Sequence, residues 1–305
     1  SDTNLPRIDY TGGTGHWLFE PQSTNLFPYS ENLNGSGWIN TGATITENQS
    51  ISPDGSLNAD LIELDSNLDR LAAVLGSTGG TYTFSFYIKA KEGESGVWTT
   101  RVNGDSTLWQ NTQVNDTEWT RVTQTFNKTG SGNIIVYPAY RVDGASTLFN
   151  AYIYGAQLEQ NSFPTSYIPT SGSQVTRLQE SAFGAGSSDL INSTEGVLYF
   201  EGSYPITTAG SGNKRIAISD GTSSNRIMFA EVGNTGLSAL ITSAGVNSAY
   251  MTGNLNNLLN FKAAILYKQN NFALWINGLE VATDTTGNAP IGLKELAFDG
   301  GDNTN

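Results

Sequence analysis

A chain of 305 residues is long for one hydrophobic core and comfortable for two, since single cores stop growing near about 250 residues. It is 37% hydrophobic and 10% aromatic but only 14% charged, so its surface is built from Asn, Ser, Thr, Gln and Gly, a composition common where proteins face sugars. The net charge of −13, from 15 basic and 28 acidic residues without a basic block, argues against nucleic acid and anionic membranes, because binding by counterion release needs clustered Lys and Arg.

The absence of cysteine removes disulfides, thiolate zinc sites and a Cys nucleophile together, and favours a bacterial or viral origin. No apolar run approaches the roughly 20 residues of a membrane span, and the start "SDTNLPRIDY" lacks the basic and apolar regions of a signal peptide. No membrane insertion is expected.

Residues 1–19 form an N-terminal segment that ends in the Gly-rich "GGTGHWLF". From residue 20 the period is that of strands. In "TYTFSFYIKA", Tyr82, Phe84, Phe86 and Ile88 alternate with Thr83, Ser85, Tyr87 and Lys89, as in a strand with one buried face. "ATITE" (43–47), "VWTTRV" (97–102), "WTRVTQTF" (119–126), "NIIVYPAY" (133–140) and "FNAYIYGAQLE" (149–159) read the same way. Turn signals separate them at Asn34-Gly35, Asp54-Gly55, Asn103-Gly104 and Asp143-Gly144. Many short strands at this spacing predict an antiparallel β-sandwich of jelly-roll type over residues 20–169.

"FPTSYIPTSGSQVTR" (163–177) looks like a linker but carries Phe163, Tyr167 and Ile168. Pro164 and Pro169 discourage pairing and helix, while the apolar side chains are each worth about 1.5 to 3 kcal/mol if buried. The expectation is a strap, 163–169, docked in extended form on the first sandwich, followed by a hinge at 170–177 whose joint is "TSGSQ" (170–174).

Strand patterns resume at "GVLYFEGSY" (196–204), "KRIAISD" (214–220), "NRIMFAEV" (225–232), "LSALITS" (237–243), "NFKAAILYK" (260–268) and "FALWINGLEVAT" (272–283). Asn277-Gly278 between strands is a type I′ hairpin signature. A second sandwich is therefore predicted over 178–305. Its last segment, "ELAFDGGDNTN", follows a strand without a closing partner, so an open edge or groove is expected there, filled by further chain or by another chain. The fold class is thus all-β, two tandem antiparallel sandwiches.

Four segments, "LPRIDYTGG" (5–13), "WLFEPQSTNLFPYSENL" (17–33), "AQLEQNSFPTSYIPTSGSQVTR" (156–177) and "LWINGLEVATDT" (274–285), together resemble an arrangement found in tailed-bacteriophage tail-fibre and structural proteins. There a carbohydrate-binding-module-like jelly roll precedes a concanavalin A-like, laminin G-like domain. The resemblance spans nearly the whole chain and implies a virion-surface, extracellular location, with host or environmental glycans and other virion proteins as partners and room for a homo-oligomer. No cofactor is required. Jelly-roll sugar-binding modules often hold a structural calcium through oxygen ligands, and the resemblance implies Glu20, Asn25 and Glu159 as its candidate ligands; capping of turns is the plainer role for these three. It also places Trp38 and Trp119 in the core.

Catalysis is not expected. The sole histidine, His16, has no Cys partner and lies in a Gly-rich segment, whereas Ser-His-Asp chemistry needs a buried base beside a serine. Glycosidases on concanavalin-like folds place carboxylates on alternate residues of a strand, as in Glu-x-Asp-x-x-Glu. The nearest pairs here, Glu92 with Glu94 and Asp116 with Glu118, lie in turn-like segments. "DGGDN" (299–303) lacks the spacing of an EF-hand loop and reads as a turn.

Sugar binding needs flat aromatic rings against pyranose faces, with polar side chains nearby for the hydroxyls. Trp98 and Trp109 flank Asn103-Gly104 among Arg101, Asn103, Asp105, Gln110, Asn111 and Gln113. Tyr137, Tyr140 and Arg141 on a neighbouring strand could complete such a face, although core packing would use the two tryptophans equally well. Trp275 in "LWING" is most simply core. Three functions stay open: a non-catalytic, lectin-like virion protein, a purely architectural spacer, and an accessory carbohydrate-binding module of a secreted polysaccharide-degrading enzyme.

Overall fold

The structure, a computed structural model, describes residues 7–10, 13–141, 146–180, 182–203, 214–233, 235–256 and 260–302. In chain order its strands are β1 (Arg7–Asp9), β2 (His16–Leu18), β3 (Ser23–Asn25), β4 (Trp38–Thr41), β5 (Thr44–Ile51), β6 (Leu57–Glu63), β7 (Arg70–Ser77) and β8 (Gly80–Ala90). They continue as β9 (Gly96–Asn103), β10 (Thr107–Val114), β11 (Thr120–Lys128), β12 (Gly132–Tyr140), β13 (Asn150–Glu159), β14 (Val175–Arg177), β15 (Glu195–Ser203) and β16 (Arg215–Ser219). The last are β17 (Arg226–Val232), β18 (Gly236–Ser243), β19 (Val246–Asn254), β20 (Asn260–Lys268), β21 (Asn271–Ile276), β22 (Leu279–Asp284) and β23 (Glu295–Ala297). Among the described residues all regular structure is strand, and none forms a helix long and apolar enough to cross a membrane. The all-β expectation holds.

The chain divides into two compact units, Glu20–Gln179 and Ser1–Phe19 with Glu180–Asn305. In the first, one five-stranded sheet has the order β10-β9-β12-β7-β4 and the other β11-β8-β13-β6-β5. Every pairing is antiparallel, and the chain changes sheet repeatedly, the connectivity of a jelly roll. Tyr82, Phe84, Phe86 and Ile88 of β8 enter the core with Trp98, Val102, Ile134 and Leu158. The alternation in β8 suggested a solvated outer face, yet Thr83 and Ser85 are also buried. Residues 163–170 run over that face: Thr165 and Ile168 are buried, and Tyr167 lies 5.1 Å from Tyr154. Gly155, at φ 67°, makes room, since a Cβ there would meet the Tyr167 ring at 3.3 Å.

The hinge expected at 170–177 is corrected. Ser30 donates its backbone N–H to the Thr170 carbonyl, Gly172 donates to the Pro28 carbonyl, and β14 pairs with β3 through Val175↔Asn25, Thr176↔Thr24 and Arg177↔Ser23. A Gly/Ser composition suggests freedom, but these backbone groups find partners on the first sandwich, and the unit boundary falls at Gln179/Glu180.

The N-terminal segment is corrected as well, because it belongs with residues 180–305. There β1 pairs with β2, Arg7 forms an ion pair with Glu180, and Phe19 stacks on Phe298 with ring centroids 4.2 Å apart. The rest of that unit is a sandwich of β15-β20-β21-β22 against β19-β18-β17-β16-β23. Phe229, Ile241, Phe261, Ile265, Phe272 and Leu274 fill its core. Asn277 and Gly278 both take positive φ, 50° and 83°, as a type I′ turn requires. The expected turn at Asp143-Gly144 lies outside the described residues.

Candidate functional site

Side chains on a strand alternate faces, so β9 sends Trp98, Thr100 and Val102 inward and Thr99, Arg101 and Asn103 outward. Across the sheet, Trp109 of β10, Arg101 of β9 and Tyr137 of β12 share one register row. Tyr140 joins them although it is three residues from Tyr137. The β12–β7 register shifts between Val136 and Ala139, around Pro138, and returns Tyr140 to the outer face.

The result is a guanidinium held among three rings. The Arg101 Cζ lies 5.0 Å from the Trp109 ring centre, 5.3 Å from Tyr137 and 5.2 Å from Tyr140. Its Nε–H donates to Asn103 Oδ1 at 2.9 Å and its Nη1–H to the Tyr140 hydroxyl at 2.8 Å. Tyr140 meets Trp109 edge-on at 5.0 Å and Tyr137 at 5.1 Å. Trp109 is 49% exposed while Tyr140 is 7% exposed, so the buried ring props the exposed one. Beside the row, Thr99 donates to Asn111 Oδ1 at 2.9 Å. The face thus offers one apolar ring backed by a guanidinium that lies over it, with the amide groups of Asn103 and Asn111 nearby.

Two residues expected in this face are elsewhere. Trp98 is wholly buried in the core, and its indole N–H donates to the Pro138 carbonyl at 2.7 Å. Arg141 turns away: its guanidinium lies 3.5 Å from the Phe149 ring centre and donates to the Leu64 carbonyl. Trp38 stacks on Phe27 at 4.9 Å and packs against the core. Trp119, expected in the core, instead lies outside it with Lys89 Nζ 5.2 Å from its ring centre.

The three residues suggested for calcium do not fit a cation. Glu159 is buried, and its oxygens accept from Ser23 Oγ at 2.6 Å, Gln157 Nε2 at 2.7 Å, the Thr165 N–H at 3.0 Å and the Thr165 hydroxyl. Asn25 donates to the Ala156 and Ile168 carbonyls, and its Oδ1 accepts the N–H groups of Phe27 and Leu158. Glu20 accepts the Ser166 N–H and pairs with Arg177 at 3.0 Å. All three fasten residues 165–177 to the sandwich. Among the described residues no cluster of three or more His, Asp or Glu side chains is arranged to hold a metal.

The acids weighed for catalysis serve turns. Asp116 accepts the Gly93 N–H at 2.8 Å and Glu94 accepts from Asn150 Nδ2 at 2.8 Å, while Glu92 and Glu118 are exposed. His16 is exposed on β2 opposite Asp9.

Sequence reasoning missed one aromatic face in the second unit. Trp275, expected in the core, is 37% exposed, and Tyr199, 56% exposed, shares its row across Ala264. Along β15 both faces are apolar, Leu198 and Phe200 on one and Val197 and Tyr199 on the other, so a period of two does not tell inside from outside. In the same unit a groove of about 580 Å³ opens between β15 and β23, lined by Leu190, Ile191, Leu198, Ile218, Tyr267 and Leu296.

No protein-family model and no curated protein matches the chain. Among solved structures it is similar to the CBM22-1 xylan-binding domain of Paenibacillus barcinonensis Xyn10C, at 13% identity over 46% of this chain and 94% of that one, with a TM-score of 0.34. The tandem CBM22-1–CBM22-2 domains of the same protein align over 90% of this chain and 95% of theirs, at 11% identity and a TM-score of 0.34. Domains LG4-5 of the mouse laminin α1 chain align over 98% of this chain and 84% of theirs, at 8% identity and a TM-score of 0.23. Likenesses at these scores leave function to be argued from the site itself.

Proposed function

We propose that the outer face of the sheet β10-β9-β12-β7-β4 binds a neutral polysaccharide, and that the chain is a non-catalytic recognition protein of an extracellular or virion surface. The observation that carries this reading is the half-exposed Trp109 ring, fixed by Arg101, Tyr137 and Tyr140. A pyranose presents C–H groups on its faces and hydroxyls around its rim. The Trp109 plane suits the former, and Arg101, Asn103 and Asn111 suit the latter.

The ring needs no reordering to bind, which lowers the entropic cost that makes small-ligand contacts weak. The low content of charged side chains agrees with a neutral ligand. The sequence resemblance to tail-fibre proteins favours display on a phage particle; the same face would serve an accessory module of a polysaccharide-degrading enzyme equally well.

Native affinity electrophoresis of the full chain in gels containing soluble xylan or mixed-linkage β-glucan tests the reading. Retardation that Trp109→Ala weakens at an unchanged melting temperature supports it. Migration of wild type unaffected by either polysaccharide, and by a wider glycan array, supports the purely architectural alternative.

A further inference from the structure

The second unit carries an aromatic face of its own, on the solvent side of the sheet β15-β20-β21-β22. Tyr199, Ala264 and Trp275 form one row across three strands, and Val197, Leu266 and Ala273 form the row two residues along. Their neighbours Leu198, Ile265, Leu274 and Ile276 point into the core, which fixes these rows outward. Tyr199, Val197 and Trp275 are 56%, 58% and 37% exposed.

Ion pairs close both ends of the rows. Glu201 pairs with Lys262 at 3.2 Å and accepts the Tyr199 hydroxyl at 2.8 Å, and Lys268 pairs with Glu195 at 2.7 Å. The face is therefore apolar in the middle, with an acid–base pair at each end and exposed Glu280 of β22 beside Trp275.

Size decides what could occupy it. Tyr199 and Trp275 are two strand spacings apart, about 10 Å, with only the Ala264 methyl between them, and Glu195 to Glu201 spans about 20 Å. That is an area of roughly 200 Å², far short of the roughly 800 Å² per partner of a stable protein interface. It matches a short stretch of linear sugar chain, whose flat apolar ring faces would lie over the two aromatic rings while hydroxyls reach Glu201 and Lys262. We propose that this face is a second binding platform, for a linear neutral polysaccharide, separate from the one at Trp109. It stands on its own residues and does not require the Trp109 face to bind.

The test uses the full chain in affinity gels with soluble xylan and mixed-linkage β-glucan. In a Trp109→Ala background, residual retardation is expected, and adding Tyr199→Ala with Trp275→Ala should weaken the apparent affinity at least about tenfold. Trp275→Phe in place of Trp275→Ala should restore part of it, because a ring remains. Melting temperatures should fall by no more than a few degrees, since neither side chain belongs to the core cluster although Trp275 is only 37% exposed. The proposal is overturned if the Trp109→Ala chain shows no retardation, or if removing both rings leaves its retardation unchanged. If Trp109→Ala alone matches wild type while loss of Tyr199 and Trp275 removes binding, the second platform stands and the first reading fails.

Discussion

Replacing Glu159 tests whether residues 163–177 are fastened to the first sandwich by one buried carboxylate. Four donors converge on it: the Ser23 and Thr165 hydroxyls on Oε1, and Gln157 Nε2 and the Thr165 N–H on Oε2. The hydroxyls can rotate to other acceptors, and Thr165 already has the Ser166 carbonyl within 3.3 Å. The amide N–H groups have fixed directions. Glu159→Leu therefore strands two buried N–H donors at about 1–3 kcal/mol each, offset in part by no longer burying a carboxylate, for a net loss of about 3 kcal/mol. Glu159→Gln should cost less, about 1 kcal/mol, because its carbonyl can face the two N–H groups and its NH₂ the two rotatable hydroxyls. Urea unfolding gives the magnitudes, and limited proteolysis reports opening within 163–177. If Glu159→Leu unfolds like wild type, or if Gln proves worse than Leu, the carboxylate does not hold the segment.

Asp60 of β6 supplies a pH-dependent test. Burial pushes its carboxyl up from 3.8 to about 6, against the Leu33 and Asn48 N–H groups that it accepts and with Glu47 and Glu31 adding to the rise. Because the folded pKa is the higher one, the native state holds the proton more tightly, so this contribution is present below about pH 4 and is lost as pH rises through about 6. The stability of wild type relative to Asp60→Asn should fall by up to about 3 kcal/mol between pH 4 and 7, and a constant difference would contradict the assignment. Trp98→Ala, which empties a wholly buried site and frees the Pro138 carbonyl, should cost about 3–5 kcal/mol in denaturant unfolding; a loss below about 1 kcal/mol would place that ring outside the core.

Much of the fold was legible because apolar alternation is strong where one face enters an apolar core, as in β20 and in β8, although Thr83 and Ser85 on the polar face of β8 are buried as well. It was not legible in β6, where Asp60 interrupts "LNADLIE" and is buried all the same through its two N–H partners. Nor was it legible at 170–177, whose Ser and Gly content gave no sign of the β3 edge waiting for it. At the site, the period of two already separates Trp98 from Arg101, three residues apart and thus on opposite faces. The same rule would have parted Tyr137 from Tyr140, and only the register shift at Pro138 overrides it. Glu159 and Asn25 drew notice as oxygen donors. Glu159 does find Gln157 and Thr165 close by in sequence, but Ser23 on Glu159, and Ala156, Leu158 and Ile168 on Asn25, lie more than 130 residues away and leave no local pattern.

The central claim, that the face around Arg101 binds sugar, is tested most directly by titrating the full chain and its Trp109→Ala variant with xylo- and gluco-oligosaccharides in a calorimeter. A fixed ring stacked on a pyranose is worth about 1 kcal/mol or more, so Trp109→Ala should weaken binding by about fivefold or more at an unchanged melting temperature. Equal affinities for the two proteins, with heat of binding present in both, would contradict it.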